Sequence, residues 1–225
     1  MIDTVLFGAY PYIALTVFLA GSWLRFDTEQ YTWKTDSSQL LSKRGMRLAS
    51  NLFHVGVLAV LGGHAVGLLT PHPWFRAAGV TDIAHQWMAI GAGSVFGLMC
   101  LLGGLMLLAR RLGNRRVRAA ARSTDLPILV WLLATLTLGL CTIPVSVGHA
   151  EHGDAGVMIA LAEWVQSILC LHPQPGLLAG VEPIFKAHIT FGLTVLLVFP
   201  FTRLVHIWSV PLGYLGRAYQ VVRTR

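Results

Sequence analysis

Charged residues are scarce in this sequence. Asp, Glu, Lys and Arg make up only 12% of its 225 residues, whereas roughly 25% is typical of a soluble domain. Hydrophobic residues make up 55%, and they cluster in long blocks that a soluble core does not need. The shortage of charge and the clustering together argue against a soluble globular protein and favour a chain that lies within a membrane.

Cysteine is also rare, and its spacing argues against several metal sites. The three cysteines, Cys100, Cys141 and Cys170, form no C-x-x-C pair, so an iron–sulfur cluster or structural zinc within this chain is not expected. The sequence also lacks the C-x-x-C-H motif, which attaches c-type haem covalently. Any haem in this protein is therefore expected to be held without a covalent link.

Five stretches are long enough to cross a bilayer as α-helices, which takes about 20 apolar residues. They must be helical because lipid offers no partner for open backbone. A further block, 157–171, is short and contains Glu163 and Gln166, which favours a helix lying on the membrane surface. We predict an all-α fold: an integral membrane bundle of five transmembrane helices plus this short amphipathic outer-surface helix, in one domain over 1–225. The predicted spans are 5–24, 48–69, 83–108, 126–147 and 183–208.

The basic residues predict the orientation of the chain. With five spans, all but two of the 17 Lys and Arg residues fall on one side of the membrane, and only Arg76 and Lys186 lie opposite. The positive-inside rule then places the N-terminus outside and the C-terminus in the cytoplasm. The net charge of +7 lies between the apolar blocks rather than along one helical face. It therefore indicates anionic membrane lipid as a partner, and no nucleic acid.

Four of the nine histidines lie inside predicted spans, His54 and His64 in the second and His188 and His206 in the fifth. Ionisable residues within lipid are costly and usually mark function. His85 lies at the outer start of the third span. The remaining four fall in outer loops, where a solvated surface role is expected: His72, His149, His152 and His172.

The depths of the four intramembrane histidines predict two pairs. At 1.5 Å per residue, His54 and His64 differ by about 15 Å in depth, and His188 and His206 by about 27 Å. His64 is therefore expected to lie at the depth of His188, near the outer side, and His54 to pair with His206, near the inner side. The inner pair matches less well in depth, because the spacings along the two helices differ by about 12 Å of rise. Two imidazoles facing each other across a bundle supply both axial ligands of a haem. Zinc or copper favours three or four clustered ligands, so the predicted cofactors are two b-type haems.

Several longer motifs resemble one known family over nearly the whole length of the chain. The chain resembles the gamma subunit of the membrane-bound respiratory nitrate reductase, a diheme cytochrome b. No single motif is specific, but together they are. The motifs are Tyr10-Pro11-Tyr12, Gly21-Ser22-Trp23-Leu24-Arg25, Gln30-Tyr31-Thr32-Trp33, Ala49-Ser50-Asn51-Leu52-Phe53-His54, Gly63-His64, Leu69-Thr70-Pro71-His72 and Arg203-Leu204-Val205-His206-Ile207-Trp208-Ser209-Val210-Pro211.

The resemblance implies the same four haem ligands, with His64 and His188 on an outer haem and His54 and His206 on an inner one. It also implies that quinol, either menaquinol or ubiquinol, is oxidised near the outer haem. The family's quinol pocket includes the glycine before the first outer ligand, which is Gly63 here.

The same pocket uses a lysine at the outer start of the third span in the family, and this sequence has His85 there. A histidine can still donate to a quinone oxygen and accept a proton. His85 is therefore expected to be the pocket residue. On oxidation, its proton is expected to leave through the polar loop that includes Asp82.

The resemblance further implies a location in the bacterial inner membrane and two soluble partners. An iron–sulfur subunit on the cytoplasmic face would accept the electrons and pass them to a molybdenum-containing catalytic subunit that reduces nitrate. The loop 26–47 and the tail 211–225, with Tyr214 and Tyr219 as anchors, are expected to contact the iron–sulfur subunit. Arg203, three residues before His206, is a candidate partner for a haem propionate, with snorkelling to lipid headgroups as the alternative.

Three other functions remain open at the level of sequence. The nearest is a quinone-linked cytochrome b subunit of a hydrogenase, a formate dehydrogenase or a sulfur-metabolism complex, which copurification would distinguish. A cofactor-free proton or ion carrier would show no haem spectrum. A membrane anchor or assembly protein would not need four intramembrane histidines.

Overall fold

The computed structural model describes residues 2–29, 31, 33 and 45–209. Over these residues the chain is helical, without a strand, and five helices are long and apolar enough to cross a membrane. The predicted all-α bundle is confirmed, and the protein is a multi-pass membrane protein. The spanning helices are α1 (Tyr10–Thr28), α2 (Met46–Leu69), α3 (Asp82–Gly113), α4 (Asp125–Glu151) and α5 (Pro183–Val198).

Shorter elements connect and extend these helices. The amphipathic helix, Gly156–Leu169, has 14 residues, too few to cross a bilayer. The others are the turn Ile2–Thr4 and the π-helix Val5–Ala9 before α1, the helices His72–Ala77 and Arg115–Ala119, and the 3-10 helices Pro175–Leu178, Phe199–Phe201 and Arg203–Ser209.

The ends of α3 follow from its sequence. The side chain of Thr81 caps the helix by accepting from the backbone N–H of Ala84 at 3.2 Å. Asp82 lies in the first turn and Arg110 and Arg111 lie in the last, where each charge favours the helix dipole. With 32 residues the helix is about 48 Å long, whereas the hydrocarbon core is about 30 Å thick. Its charged ends therefore extend into the polar layers.

The fifth predicted span is not one continuous helix. We predicted a span over 183–208, but α5 ends at Val198 and two 3-10 segments follow. Pro200 lacks the N–H that an α-helix needs, and Thr202 is fully extended with ψ near 179°. Arg25 of α1 fixes the bend, since one guanidinium nitrogen donates to the carbonyls of Pro200 and Thr202 at 2.5 and 2.8 Å.

The helices pack in the order α2, α3, α4, α5, α1. The contact between α2 and α3 is close because Gly103 has no side chain: a β-carbon there would lie 2.8 Å from the carbonyl oxygen of Ala49. Within the described ranges, α2 and α5 are not among the extensively packed pairs. The intramembrane histidines of α2 therefore face α5 across a gap that α3 and α4 bridge.

Two apolar clusters hold the opposite ends of the bundle. We call these ends the His85 end, where α3 begins, and the Arg203 end, where the last 3-10 segment begins. At the His85 end, Trp164 of the amphipathic helix packs edge-on against Phe7 and its indole N–H donates to the Phe7 carbonyl at 2.9 Å. At the Arg203 end, Phe199 and Val205 are buried against Ile128 of α4. Both ends of α5 are thus anchored.

Candidate functional site

The rings of His64 and His188 face each other from α2 and α5. Their centroids are 6.0 Å apart and their planes are inclined by 46°. The Nδ1 atom of His64 is 2.8 Å from the carbonyl oxygen of Val60, and that of His188 is 3.0 Å from the carbonyl oxygen of Thr135. These bonds engage Nδ1 of each ring and leave Nε2 as the nitrogen that can bind a metal.

The second pair has the same hydrogen-bond pattern. Nδ1 of His54 is 2.7 Å from the carbonyl oxygen of Ser50, and Nδ1 of His206 is 2.6 Å from the carbonyl oxygen of Arg203. The depth mismatch that we derived for a continuous fifth helix does not apply, because His206 follows the bend at Thr202.

The geometry of His64 and His188 fits a bis-histidine haem, and His54 and His206 have the same hydrogen-bond pattern. A metal lies about 2 Å from the imidazole nitrogen that binds it, so two rings on opposite sides of one metal have centroids about 6 Å apart, as His64 and His188 do. Ligating histidines normally hold their other nitrogen in a hydrogen bond, and all four do so here. In the part of the chain that is described, no group of three or more His, Cys, Asp or Glu residues could hold a metal ion.

A glycine makes room for one of these rings. Gly139 of α4 lies beside His188, and a β-carbon at this position would be 2.8 Å from Cε1 of the imidazole. The ring can therefore lie flat against the backbone of α4 while its Nδ1 reaches Thr135 one turn earlier in the same helix. Nothing in the sequence alone singled out this glycine, because the contact joins residues far apart in the chain.

His85 lies at the start of α3 and only 6% of it is exposed. Its ring stacks on Phe75 at a centroid distance of 4.0 Å. Its Nε2 atom faces α2, where a β-carbon on Gly67 would be 3.7 Å away. By contrast, nothing lies within 4 Å of the position a β-carbon would take on Gly63. The surface of α2 that we predicted for quinol is therefore bare at Gly63 and is flanked by His85 one turn further along.

The expectation that His72 is a solvated surface residue was wrong. The short helix His72–Ala77 folds back onto α3, so His72 is only 6% exposed and its ring centroid is 6.0 Å from that of His85. Its Nδ1 atom lies 3.4 Å from the Asp82 carboxylate. The aromatic residues after Pro71 are a signal that this loop has an apolar face to bury.

The side chain of Arg203 is engaged at the Arg203 end of the bundle. Its guanidinium is 3.4 Å from the carboxylate of Asp125, which is also 3.1 Å from Arg111 and accepts from the backbone N–H of Arg122 at 3.3 Å. Asp125 is 8% exposed. Asp125, which was not predicted from the sequence, thus engages the guanidinium that was expected to pair with a haem propionate.

The predicted docking tail, 211–225, including Tyr214 and Tyr219, lies outside the described residues. Of the predicted docking loop, 26–47, the structure describes only 26–29, 31, 33 and 45–47. Their contacts with an iron–sulfur subunit stay predictions.

Comparison with known proteins identifies relatives of this chain. It matches the family described as nitrate reductase gamma subunit over residues 3–225. The respiratory nitrate reductase 1 gamma chain of Escherichia coli (strain K12) is 50% identical over 220 residues, which cover 97% of this chain and 96% of that protein. The nitrate reductase gamma chain of Bacillus subtilis (strain 168) is 35% identical over 225 residues, which cover 100% of both. The chain therefore belongs to the nitrate reductase gamma subunit family, as its motifs predicted.

Proposed function

We propose that this protein is the membrane cytochrome b subunit of a respiratory nitrate reductase, which oxidises quinol and delivers electrons to a cytoplasmic iron–sulfur subunit. From there the electrons would reach a molybdenum-containing catalytic subunit that reduces nitrate. The observation that carries the proposal is the pairing of His64 with His188 at a centroid distance of 6.0 Å, each with Nδ1 held by a backbone carbonyl. Membership of the gamma subunit family supports it.

The four histidines would hold two b-type haems through their Nε2 atoms. The haems, when bound, supply one-electron acceptors at two depths of the membrane, so that one long transfer becomes two shorter ones. The Nδ1 bonds to backbone carbonyls would fix the tautomer and the orientation of each imidazole, with the proton on Nδ1 and with Nε2 as the metal-binding atom. His64 and His188 would form the haem site nearer the His85 end, and His54 and His206 the site nearer the Arg203 end.

Quinol would bind beside the bare surface of α2 at Gly63, within reach of His85. His85 would hold one quinol oxygen and take its proton as the O–H bond breaks. The proposed orientation follows the positive-inside rule, with the N-terminus outside, the C-terminus in the cytoplasm and the His85 end outward, in the bacterial inner membrane. Electrons then move inward while protons leave outward. This charge separation stores about 2.3 kcal/mol of free energy per electron for each 100 mV of membrane potential.

The test is a reduced-minus-oxidised optical spectrum with a haem count on the purified protein. We expect two b-type haems per chain, one of them lost in His64→Ala or His188→Ala and the other in His206→Ala. His152→Ala is the matched control, since His152 is exposed at the end of α4. Two haems retained in every variant, or no haem in the unaltered protein, would contradict the proposal. Copurification with an iron–sulfur subunit tests the partner.

A further inference from the structure

Two buried histidines at the His85 end have ring nitrogens without hydrogen-bond partners. His72 and His85 are each 6% exposed. Nε2 of His72 and Nδ1 of His85 are buried and make no hydrogen bond, whereas Nδ1 of His72 lies near the Asp82 carboxylate. Burying unpaired polar atoms costs free energy, so such a cluster next to a bare helix surface indicates atoms kept available for a proton or a ligand.

The two rings lie close enough to exchange a proton. Their centroids are 6.0 Å apart and their planes are inclined by 56°. Two imidazoles joined by one hydrogen bond have centroids about 5 Å apart, so a small rotation of either ring, or one bridging water, connects them. Phe75 stacks on the face of His85 and leaves the edge of that ring for the exchange.

A carboxylate continues the series toward the surface. Nδ1 of His72 is 3.4 Å from Oδ1 of Asp82, whose other oxygen accepts from Arg76 at 2.6 Å. The side chain of Asp82 is 20% exposed and that of Arg76 is 58% exposed. Exposure to solvent therefore rises from the two buried histidines to Asp82 and then to Arg76.

The geometry points to His72 as a proton-relay residue, which takes the proton that His85 receives from quinol and passes it through Asp82 to the outer water. This inference rests on the proposed function and adds a residue to it. A direct route from His85 to Asp82 is what the sequence had suggested, and the structure inserts a second histidine beside both. His72 and Asp82 act electrostatically on His85, Arg76 pairs with Asp82, and Gly67 of α2 lies beside Nε2 of His85.

The step balances without a further reactant. Quinol loses two electrons and two protons and becomes quinone; both electrons go to the haem chain. The O–H bond at the oxygen that His85 holds breaks with transfer of its proton to a ring nitrogen of His85, and the proton of the other oxygen goes to solvent. The proton on His85 moves to His72, then to the Asp82 carboxylate and to solvent, so that both imidazoles are neutral before the next proton arrives.

The experiment measures haem reduction by quinol in the purified complex by stopped flow, in H2O and in D2O. In His72→Gln, which keeps polarity but cannot carry the proton, we expect two haems, normal reduction by dithionite, and quinol-driven reduction at least tenfold slower. The solvent isotope effect should rise, and added imidazole should restore the rate of His72→Ala. The matched control is His152→Gln. Asp82→Asn is a second variant, and it should also slow the quinol-driven step with both haems retained.

The outcomes separate this inference from the proposed function. A rate at the level of the unaltered protein in both His72→Gln and Asp82→Asn, with an unchanged isotope effect, would overturn the relay. Slow reduction by dithionite as well as by quinol would also overturn it, because the defect would then lie in the haems. Failure of quinol to reduce the haems of the unaltered protein would refute the proposed function itself.

Discussion

The imidazole of His188 lies against Gly139 of α4, where a β-carbon would stand 2.8 Å from Cε1 of the ring. The ring cannot retreat freely, because its Nδ1 is bonded to the carbonyl of Thr135 at 3.0 Å. The two contacts fix the orientation of the His188 ring beside His64.

Replacing this glycine should therefore disturb the haem site of His64 and His188. In Gly139→Ala the methyl group would push the His188 ring off its position, a strain of about 1–3 kcal/mol. We expect the haem at this site to be lost from most molecules while the other haem stays, as read from the optical spectrum and haem count. Gly148→Ala on the same helix is the control, since nothing lies within 4 Å of its β-carbon position. Full haem content in Gly139→Ala would show that His188 does not need this position.

The close contact between α2 and α3 leads to a second prediction. At Gly103 a β-carbon would be 2.8 Å from the carbonyl oxygen of Ala49, and backbone atoms cannot move aside as a side-chain tip can. Gly103→Ala should separate the two helices near His54, lowering the thermal unfolding temperature and the content of the haem that His54 and His206 hold. Gly91→Ala, with open space at its β-carbon, should change neither. Equal melting curves for the two variants would refute the expectation.

The charge of Asp125 should influence the midpoint potential of the haem that His206 is proposed to hold. Its carboxylate lies between Arg111 and Arg203, and the carbonyl of Arg203 accepts from His206. Asp125→Asn removes one negative charge near the haem, which favours the reduced, less positive iron. We expect the midpoint potential of that haem to rise by roughly 50 mV, as for unit charges about 14 Å apart at an effective dielectric constant near 20.

Asp125→Asn should leave the potential of the other haem unchanged, which makes it an internal reference in the same redox titration. Glu163→Gln is the matched control, because Glu163 is an exposed acid on the amphipathic helix. Should both haems shift equally, or neither shift, the carboxylate would have no local effect on the His206 site. In that case the role of Arg203 as a propionate partner would have to be tested directly with Arg203→Ala.

Hydropathy predicted the number of spanning helices because lipid admits little else, but it could not locate the bend after α5. Phe199, Pro200 and Phe201 are as apolar as the helix before them, so only the missing N–H of Pro200 signals the bend. His54, His64, His188 and His206 stood out because histidine is rare in lipid. Long-range partners had no such local signal.

Asp125 and His72 illustrate what remained hidden in the sequence. Asp125 meets Arg203 across 78 positions of the chain, and either residue alone reads as an ordinary charge at a helix end. His72 follows Pro71 in a segment that was predicted to be an outer loop. It becomes buried only because a short helix of six residues folds back over the start of α3. Both contacts depend on how the helices pack against each other in three dimensions. The hydrophobic periodicity of the sequence does not determine that packing.

The last prediction concerns His85, at the position where the resemblance had led us to expect a lysine. His85 is buried and stacked on Phe75, close to the bare surface of α2, so removing its ring should cost the hydrogen bond and the proton acceptor that quinol needs. In His85→Ala we expect quinol oxidation to fall by about 10²-fold or more, with both haems present and reducible by dithionite. In His85→Lys the ammonium group can reach the same space and donate to a quinol oxygen, so much of the activity should return. The assay is quinol-driven haem reduction, with His172→Ala, an exposed histidine, as the control. Oxidation at the normal rate in His85→Ala would place the quinol pocket elsewhere, and His85 would then be only a packing partner of Phe75. A loss of haem in the same variant would instead mean that His85 supports the fold of α2 and α3, because the ring fills space beside Gly67.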